Sequence, residues 1–77
     1  MIAEEIRELQ RAERFEPYTV VTNDGKELFV RHPDYLLITP GNQTVYIYST
    51  ETEREIVAVP NITRLVPGVP KARLRKR

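Results

Sequence analysis

The sequence predicts a mainly β protein: one N-terminal α-helix, then a small five-stranded antiparallel barrel, then a disordered basic C-terminal tail. Three observations carry that reading. From Phe15 to Leu65 the chain alternates short β-rich runs with strong turn signals, at Asn23-Asp24-Gly25, His32-Pro33-Asp34, Pro40-Gly41-Asn42, Thr50-Glu51-Thr52-Glu53 and Pro60-Asn61. A charged, amphipathic segment precedes this stretch. Five basic residues in the last seven, Lys71, Arg73, Arg75, Lys76 and Arg77, follow it.

Residues 2–14 read as the helix. Ile2, Ile6 and Leu9 fall at i, i+4 and i+7 and form one narrow apolar stripe. Glu4, Glu5 and Glu8 stand early and Arg7, Arg11 and Arg14 later, the order the helix dipole favours. Glu4–Arg7 and Glu8–Arg11 are spaced to pair along the helix. So short a helix is marginal alone, so its stripe is expected to dock on the barrel. Pro17 disfavours helix at Glu16 and leaves Phe15 as an anchor between helix and sheet.

Tyr18–Thr22 and Lys26–Arg31 form the first hairpin. A two-residue Asp24-Gly25 loop would pair Val21 with Leu28. A three-residue Asn23-Asp24-Gly25 loop, with Gly25 left-handed in a bulge, would pair Val20 with Leu28 and Tyr18 with Val30. The second is preferred. It gathers Tyr18, Val20, Leu28 and Val30 on one face and leaves the more polar set Thr19, Val21, Glu27 and Phe29 on the other. Pro33 cannot donate to a ladder, so His32-Pro33-Asp34 marks a structural bend. Tyr35–Thr39 resumes as strand, which makes Lys26–Thr39 one long, bent strand. Thr44–Ser49 alternates, with Val45 and Ile47 on one face and Tyr46 and Tyr48 on the other. Glu53–Val59 pairs back, Pro60-Asn61 makes a 3₁₀ turn, and Ile62–Val66 closes the sheet beside the first strand.

At 77 residues the chain allows one domain, assigned to residues 1–70, with 71–77 as its tail. No cysteine is present, so neither disulfides nor thiolate–metal sites can reinforce the core, and a reducing compartment fits. No apolar run reaches membrane-spanning length, and no secretory signal opens the chain, so a cytoplasmic protein is expected. Residues 1–70 carry seven Lys/Arg against eleven Asp/Glu, a balance of −4, and residues 71–77 add +5. An acidic body with a basic tail is not a uniformly basic nucleic-acid binder.

Two resemblances follow from these residues. The set Phe15-x-Pro17-Tyr18, Asp24-Gly25, the β residues Phe29 and Val30, and His32-Pro33-Asp34-Tyr35 resembles a family of small uncharacterised bacterial proteins, over about residues 15–66. That resemblance implies no activity. The helix ending in basic residues, the Asn23-Asp24-Gly25 hairpin and the closing Ile62-Thr63-x-Leu65-Val66-Pro67 segment resemble bacterial Sm-like RNA chaperones. This second resemblance implies an Sm-like or SH3-like barrel, rings built by edge-strand pairing, and RNA binding. The chain departs from that pattern in the bent strand, with His32-Pro33-Asp34-Tyr35, and in the fourth strand, with Ile56-Val57-Ala58-Val59. No pocket residue is therefore carried over.

Little in the chain suggests catalysis. His32 and Asp34 are the one His–carboxylate pair at short range, and a turn capped by either side chain explains them better than a general base does. No ligand spacing typical of zinc or calcium sites and no phosphate-binding glycine loop is present, so neither cofactor nor metal is expected. Tyr46 and Tyr48 could serve as a stacking platform for single-stranded bases, but Glu51, Glu53 and Glu55 nearby oppose phosphate. The expected function is a non-enzymatic binding or assembly module acting on a protein partner or on copies of itself. The alternative is an Sm-like RNA- or DNA-binding regulator that uses Tyr46, Tyr48 and the tail. Neither a membrane nor a small-molecule substrate is implied.

Overall fold

The structure, a computed structural model, describes residues 3–50 and 52–69. The elements run α1 (Ala3–Gln10), β1 (Tyr18–Thr22), β2 (Glu27–Val30), a 3₁₀ turn (Pro33–Tyr35), β3 (Leu36–Ile38), β4 (Thr44–Tyr48), β5 (Arg54–Ala58), a second 3₁₀ turn (Val59–Asn61) and β6 (Ile62–Pro67). They form two three-stranded antiparallel sheets, ordered β2-β1-β6 and β3-β4-β5.

The first hairpin takes the three-residue loop. Tyr18 pairs with Val30 and Val20 with Leu28. Gly25 has φ +88°, a left-handed value that a residue with a Cβ adopts at a cost. Asp24 and Thr22 share a side-chain hydrogen bond inside the turn. On the other side of β1 the final strand closes the sheet, with Tyr18 opposite Pro67 and Val20 opposite Leu65. The register shifts between Val21 and Thr22. There the Thr63 hydroxyl donates to the Val21 carbonyl at 3.1 Å. The second sheet is a plain meander: Leu37 stands opposite Tyr46, and Tyr46 opposite Ile56.

The expected closed five-stranded barrel is not what forms. The long bent strand is broken at His32–Tyr35, and its halves belong to different sheets. Pro33 offers no N–H for a ladder, and the chain makes a 3₁₀ turn instead, with Tyr35 N–H bonded to the His32 carbonyl at 3.0 Å. The two sheets still share one core. Tyr18, Val20, Val30 and Ile62 from the first meet Leu36, Val45, Ile47 and Val57 from the second, joined by Val59 of the second 3₁₀ turn. Away from the core the Lys26 ammonium, just before β2, and the Glu55 carboxylate of β5 stand 2.6 Å apart and tie the two sheets.

The helix is shorter than expected and stops at Gln10. Its apolar stripe explains why. After Leu9 the next residue on that face is Glu13, and residues 11–14 are all exposed, so a further turn would have nothing to dock. Ile6 is fully buried in the shared core and contributes about 2 kcal/mol there. Ile2 lies outside the described residues. The two pairs expected along the helix do not form; Arg7 donates to the Asn42 side-chain oxygen at 2.5 Å instead. Asn42 itself sits at φ +62° in the β3–β4 turn, so helix and turn hold each other.

Gln10 ends the helix as a clamp. Its amide nitrogen donates to the Pro33 carbonyl at 2.9 Å and the Leu36 carbonyl at 3.2 Å. Its amide oxygen accepts from the Tyr18 hydroxyl at 2.7 Å. One side chain thus joins α1, β1 and the bend between the sheets. Burial pushes the Tyr18 hydroxyl well above the usual tyrosine range, so it remains a donor throughout the neutral region. Phe15 packs against the same region, its ring 6.0 Å from that of Tyr18 and tilted by 59°.

Candidate interaction surface

The two strands at the centres of their sheets are buried differently. All five residues of β1 are buried, including Thr19 and Val21 on the face expected to be polar. Thr19 lies between Phe29 and Val66, and Val21 between Glu27 and Arg64. Neighbours on both sides therefore cover the central strand. In β4 burial alternates: Val45 and Ile47 point into the core, and Thr44, Tyr46 and Tyr48 are half-buried on the outer face.

That outer face of β3-β4-β5 carries a cross-strand row of Leu37, Tyr46 and Ile56. Leu37 is 58% exposed and Ile56 57%. These are the two most exposed large aliphatic side chains among the described residues, and one tyrosine separates them. The β-hairpin register puts them together: period-2 alternation sends all three to the same side while Ile38, Val45 and Val57 face inward. One step along, Tyr48 stands opposite Arg54. The Arg54 guanidinium lies 5.6 Å from the centre of the Tyr46 ring. Stacking of this kind holds a cation over an aromatic face while leaving its N–H edge free to bond.

The row continues toward the bend. Tyr48 lines an open groove of ≈ 290 Å³ with Tyr35, Asp34 and Thr50. The Arg31 guanidinium lies 4.9 Å from the centre of the Tyr35 ring. Arg31 and Arg54 are thus both stacked on tyrosines near one end of the sheet. Neither has a carboxylate within 4.0 Å among the described residues, where the close ion pair is Lys26–Glu55.

The other residues singled out in the sequence sit elsewhere. His32 caps the first 3₁₀ turn: its Nδ1 accepts from the Asp34 backbone N–H at 3.4 Å. The Asp34 carboxylate is 3.8 Å from the same nitrogen, and both side chains are largely exposed. Their surroundings are those of a surface cap, with the ring edge-on to Tyr35 at 6.3 Å. Gly25 lies at the far hairpin tip, with open space around the position a Cβ would take. Lys71, Arg73, Arg75, Lys76 and Arg77 lie outside the described residues, as does Glu51. Among the described residues no three His, Cys, Asp or Glu side chains gather as metal ligands. No helix among them is long and apolar enough to cross a membrane.

Sequence reasoning found Tyr46 and Tyr48 but missed Leu37, Ile56, Arg54 and Arg31. The signal for the first two was present. Leu37 and Ile56 are chain neighbours of Leu36 and Val57 and so join the other face of the sheet, yet a reading of Tyr35–Thr39 and Glu53–Val59 simply as strands assigns neither residue a face. The arginines could be placed only by the fold. No protein-family model, curated protein or solved structure matches this chain.

Proposed function

We propose that this chain is a binding or assembly module without catalytic activity of its own, acting through protein–protein contacts. The single observation that supports it most is the exposed Leu37–Tyr46–Ile56 row on the outer face of β3-β4-β5. Apolar side chains set contiguously on a surface, around a tyrosine with a stacked arginine, have the composition of an interface centre. The order of helix, hairpin, interrupted strand, hairpin, 3₁₀ turn and final strand beside the first supports an Sm-like or SH3-like relationship for the scaffold. A bacterial, cytoplasmic setting belongs to the same reading, supported by the resemblances and by the lack of cysteine.

The test is photo-crosslinking in living cells of the native host, with a benzophenone side chain placed at position 37, 46 or 56 and, as control, at position 5 on the exposed helix face. Protein adducts from the sheet positions and not from the control support the module. Adducts from all four positions alike, or from none, defeat it.

A second reading, an RNA- or DNA-binding regulator, is favoured by the stacked Arg54–Tyr46 pair beside Tyr48. It predicts salt-sensitive binding of single-stranded RNA that weakens when the chain is ended at Pro70. Absence of binding by the full chain at low salt removes it.

A further inference from the structure

We infer that β5 pairs edge to edge with β5 of a second copy, antiparallel about a two-fold axis with Ile56 opposite Ile56, so that two Leu37–Tyr46–Ile56 rows join into one stripe. The inference rests on the reading of the chain as a binding or assembly module and names its partner.

The hydrogen-bond phase of β5 leaves it an open edge. Ser49 N–H bonds to the Glu53 carbonyl at 3.0 Å, and Val59 N–H to the Gln43 carbonyl at 2.8 Å. Both bonds fit the β4–β5 register, so Glu53, Glu55, Val57 and Val59 turn their main chain toward β4. Arg54, Ile56 and Ala58 turn theirs away, and no hydrogen bond among the described residues takes those groups up. The other three edges are covered or blunted. On β3 the Gln10 amide occupies the outward Leu36 carbonyl at 3.2 Å. The outward side of β2 faces the end of β4, across a gap lined by Glu27, Phe29, Ile47 and Ser49. On β6 the Gly68 N–H bonds to the Pro17 carbonyl at 2.7 Å, a phase that turns Leu65 and Pro67 outward, and Pro67 has no N–H to give.

The sequence of β5 then selects itself. With Ile56 opposite Ile56, Arg54 faces Ala58 and Glu55 faces Val57, so no like charges stand directly opposite. Glu55 lies diagonal to its counterpart, and each is already paired with Lys26 at 2.6 Å. The next register in one direction sets Glu55 against Glu55, and the one after it Arg54 against Arg54. The next in the other direction sets Arg54 against Pro60, which cannot donate. Pairing with β6 of a second copy would place Ile56 beside Leu65. Ile56 points away from the core and Leu65 packs against it, so that junction would join an open face to a core face. About the two-fold axis both open faces stay on one side.

Sedimentation of the full chain should show a dimer at about 1 mM that dissociates on dilution, since one pair of short strands makes a small interface. The chain has no cysteine, so a nitroxide on Leu37→Cys reports a single distance between copies. Strands β3, β4 and β5 of each copy lie between the labels, which dipolar EPR should place about 24 Å apart. In a synthetic chain, N-methylation of Ile56 removes an outward N–H and spares the β4 ladder; it should weaken the dimer about tenfold or more. N-methylation of Leu65, outward on β6, should leave the dimer unchanged. Where methylation of Ile56 lowers the melting temperature, Ile56→Lys repeats the test by setting like charges opposite, with Leu37→Lys as control.

The outcomes that overturn the inference separate it from the reading beneath it. Labels about 10 Å apart, the spacing of stacked sheets, put the copies face to face instead. Species larger than a dimer, or dissociation on methylating Leu65, put β6 at the junction. A chain that stays monomeric at the highest concentration overturns self-pairing altogether. If that monomer still gives protein adducts from positions 37, 46 and 56 in the host, the binding module stands; without them both fall.

Discussion

Strands β1 and β4 are each five residues long and each lies at the centre of a three-stranded sheet, yet only β4 leaves a face uncovered. In β1 the flanking pairs Phe29–Val66 and Glu27–Arg64 close over Thr19 and Val21. In β4 the flanking residues Leu37 and Ile56 are themselves exposed, so Tyr46 sits in a row left open among the described residues. The β1 sheet buries its whole central strand, with Val66 left exposed beside it. The β4 sheet keeps Leu37, Tyr46 and Ile56 available for contact.

That contrast can be broken or sharpened by substitution. The largest effect is expected from Ile6→Ala, which removes the helix's fully buried anchor; it should cost about 2–4 kcal/mol in denaturant unfolding and leave the β4 face intact. Helix and outer face would prove coupled if crosslinking from position 46 were lost under conditions where the variant is still folded. Next comes Tyr18→Phe, expected to cost about 1–2 kcal/mol because the Gln10 amide oxygen loses its donor in a partly buried setting. A double-mutant cycle with Gln10→Ala should show coupling, and strict additivity would mean that the clamp adds nothing.

Gly25→Val should cost about 1 kcal/mol or more, through its left-handed φ alone, since the space around it is open. An unchanged melting temperature would reject the three-residue loop. The same hairpin carries a pH dependence. The Thr22 hydroxyl, with help from the Lys26 backbone N–H, holds the Asp24 carboxyl below its ordinary value of 3.8. The unfolded chain then binds more protons at this site, so its stabilisation is complete above that value and fades as pH falls through the lower folded one. Asp24→Asn should flatten that acid limb of the stability curve by lowering stability at neutral pH while changing little at the acid end.

The smallest effect on stability is expected on the open face. Ile56→Ser should move unfolding by about 0.5 kcal/mol or less while abolishing crosslinking from position 46. A loss as large as that of a core substitution would mean that this face is structural after all.

How far the sequence reached varies along the chain. The first hairpin was legible to the register, because a left-handed glycine and the segregation of Tyr18, Val20, Leu28 and Val30 point to one loop length. The bend was legible as a bend, since Pro33 cannot pair. Whether it would curve one strand or divide two sheets depended on the clamp that Gln10 lays on Pro33 and Leu36, a contact across 23 and 26 residues. The helix end was misjudged for a similar reason. Charges at Arg11 and Arg14 suit a helix, but helix requires a surface to lie on, and none reaches that far. Of the candidate surface, Tyr46 and Tyr48 were visible from alternation, whereas Arg54 and Arg31 became part of it only through the rings they lie against.

Local rules thus determined the element types, the turns and the hairpin pairing, because backbone sterics and side-chain period act between near neighbours. The division into two sheets, the burial of β1 on both faces and the open row on β4 were decided by the tertiary structure. Those features depend on which distant side chains arrive beside a strand, and short-range preference does not encode that.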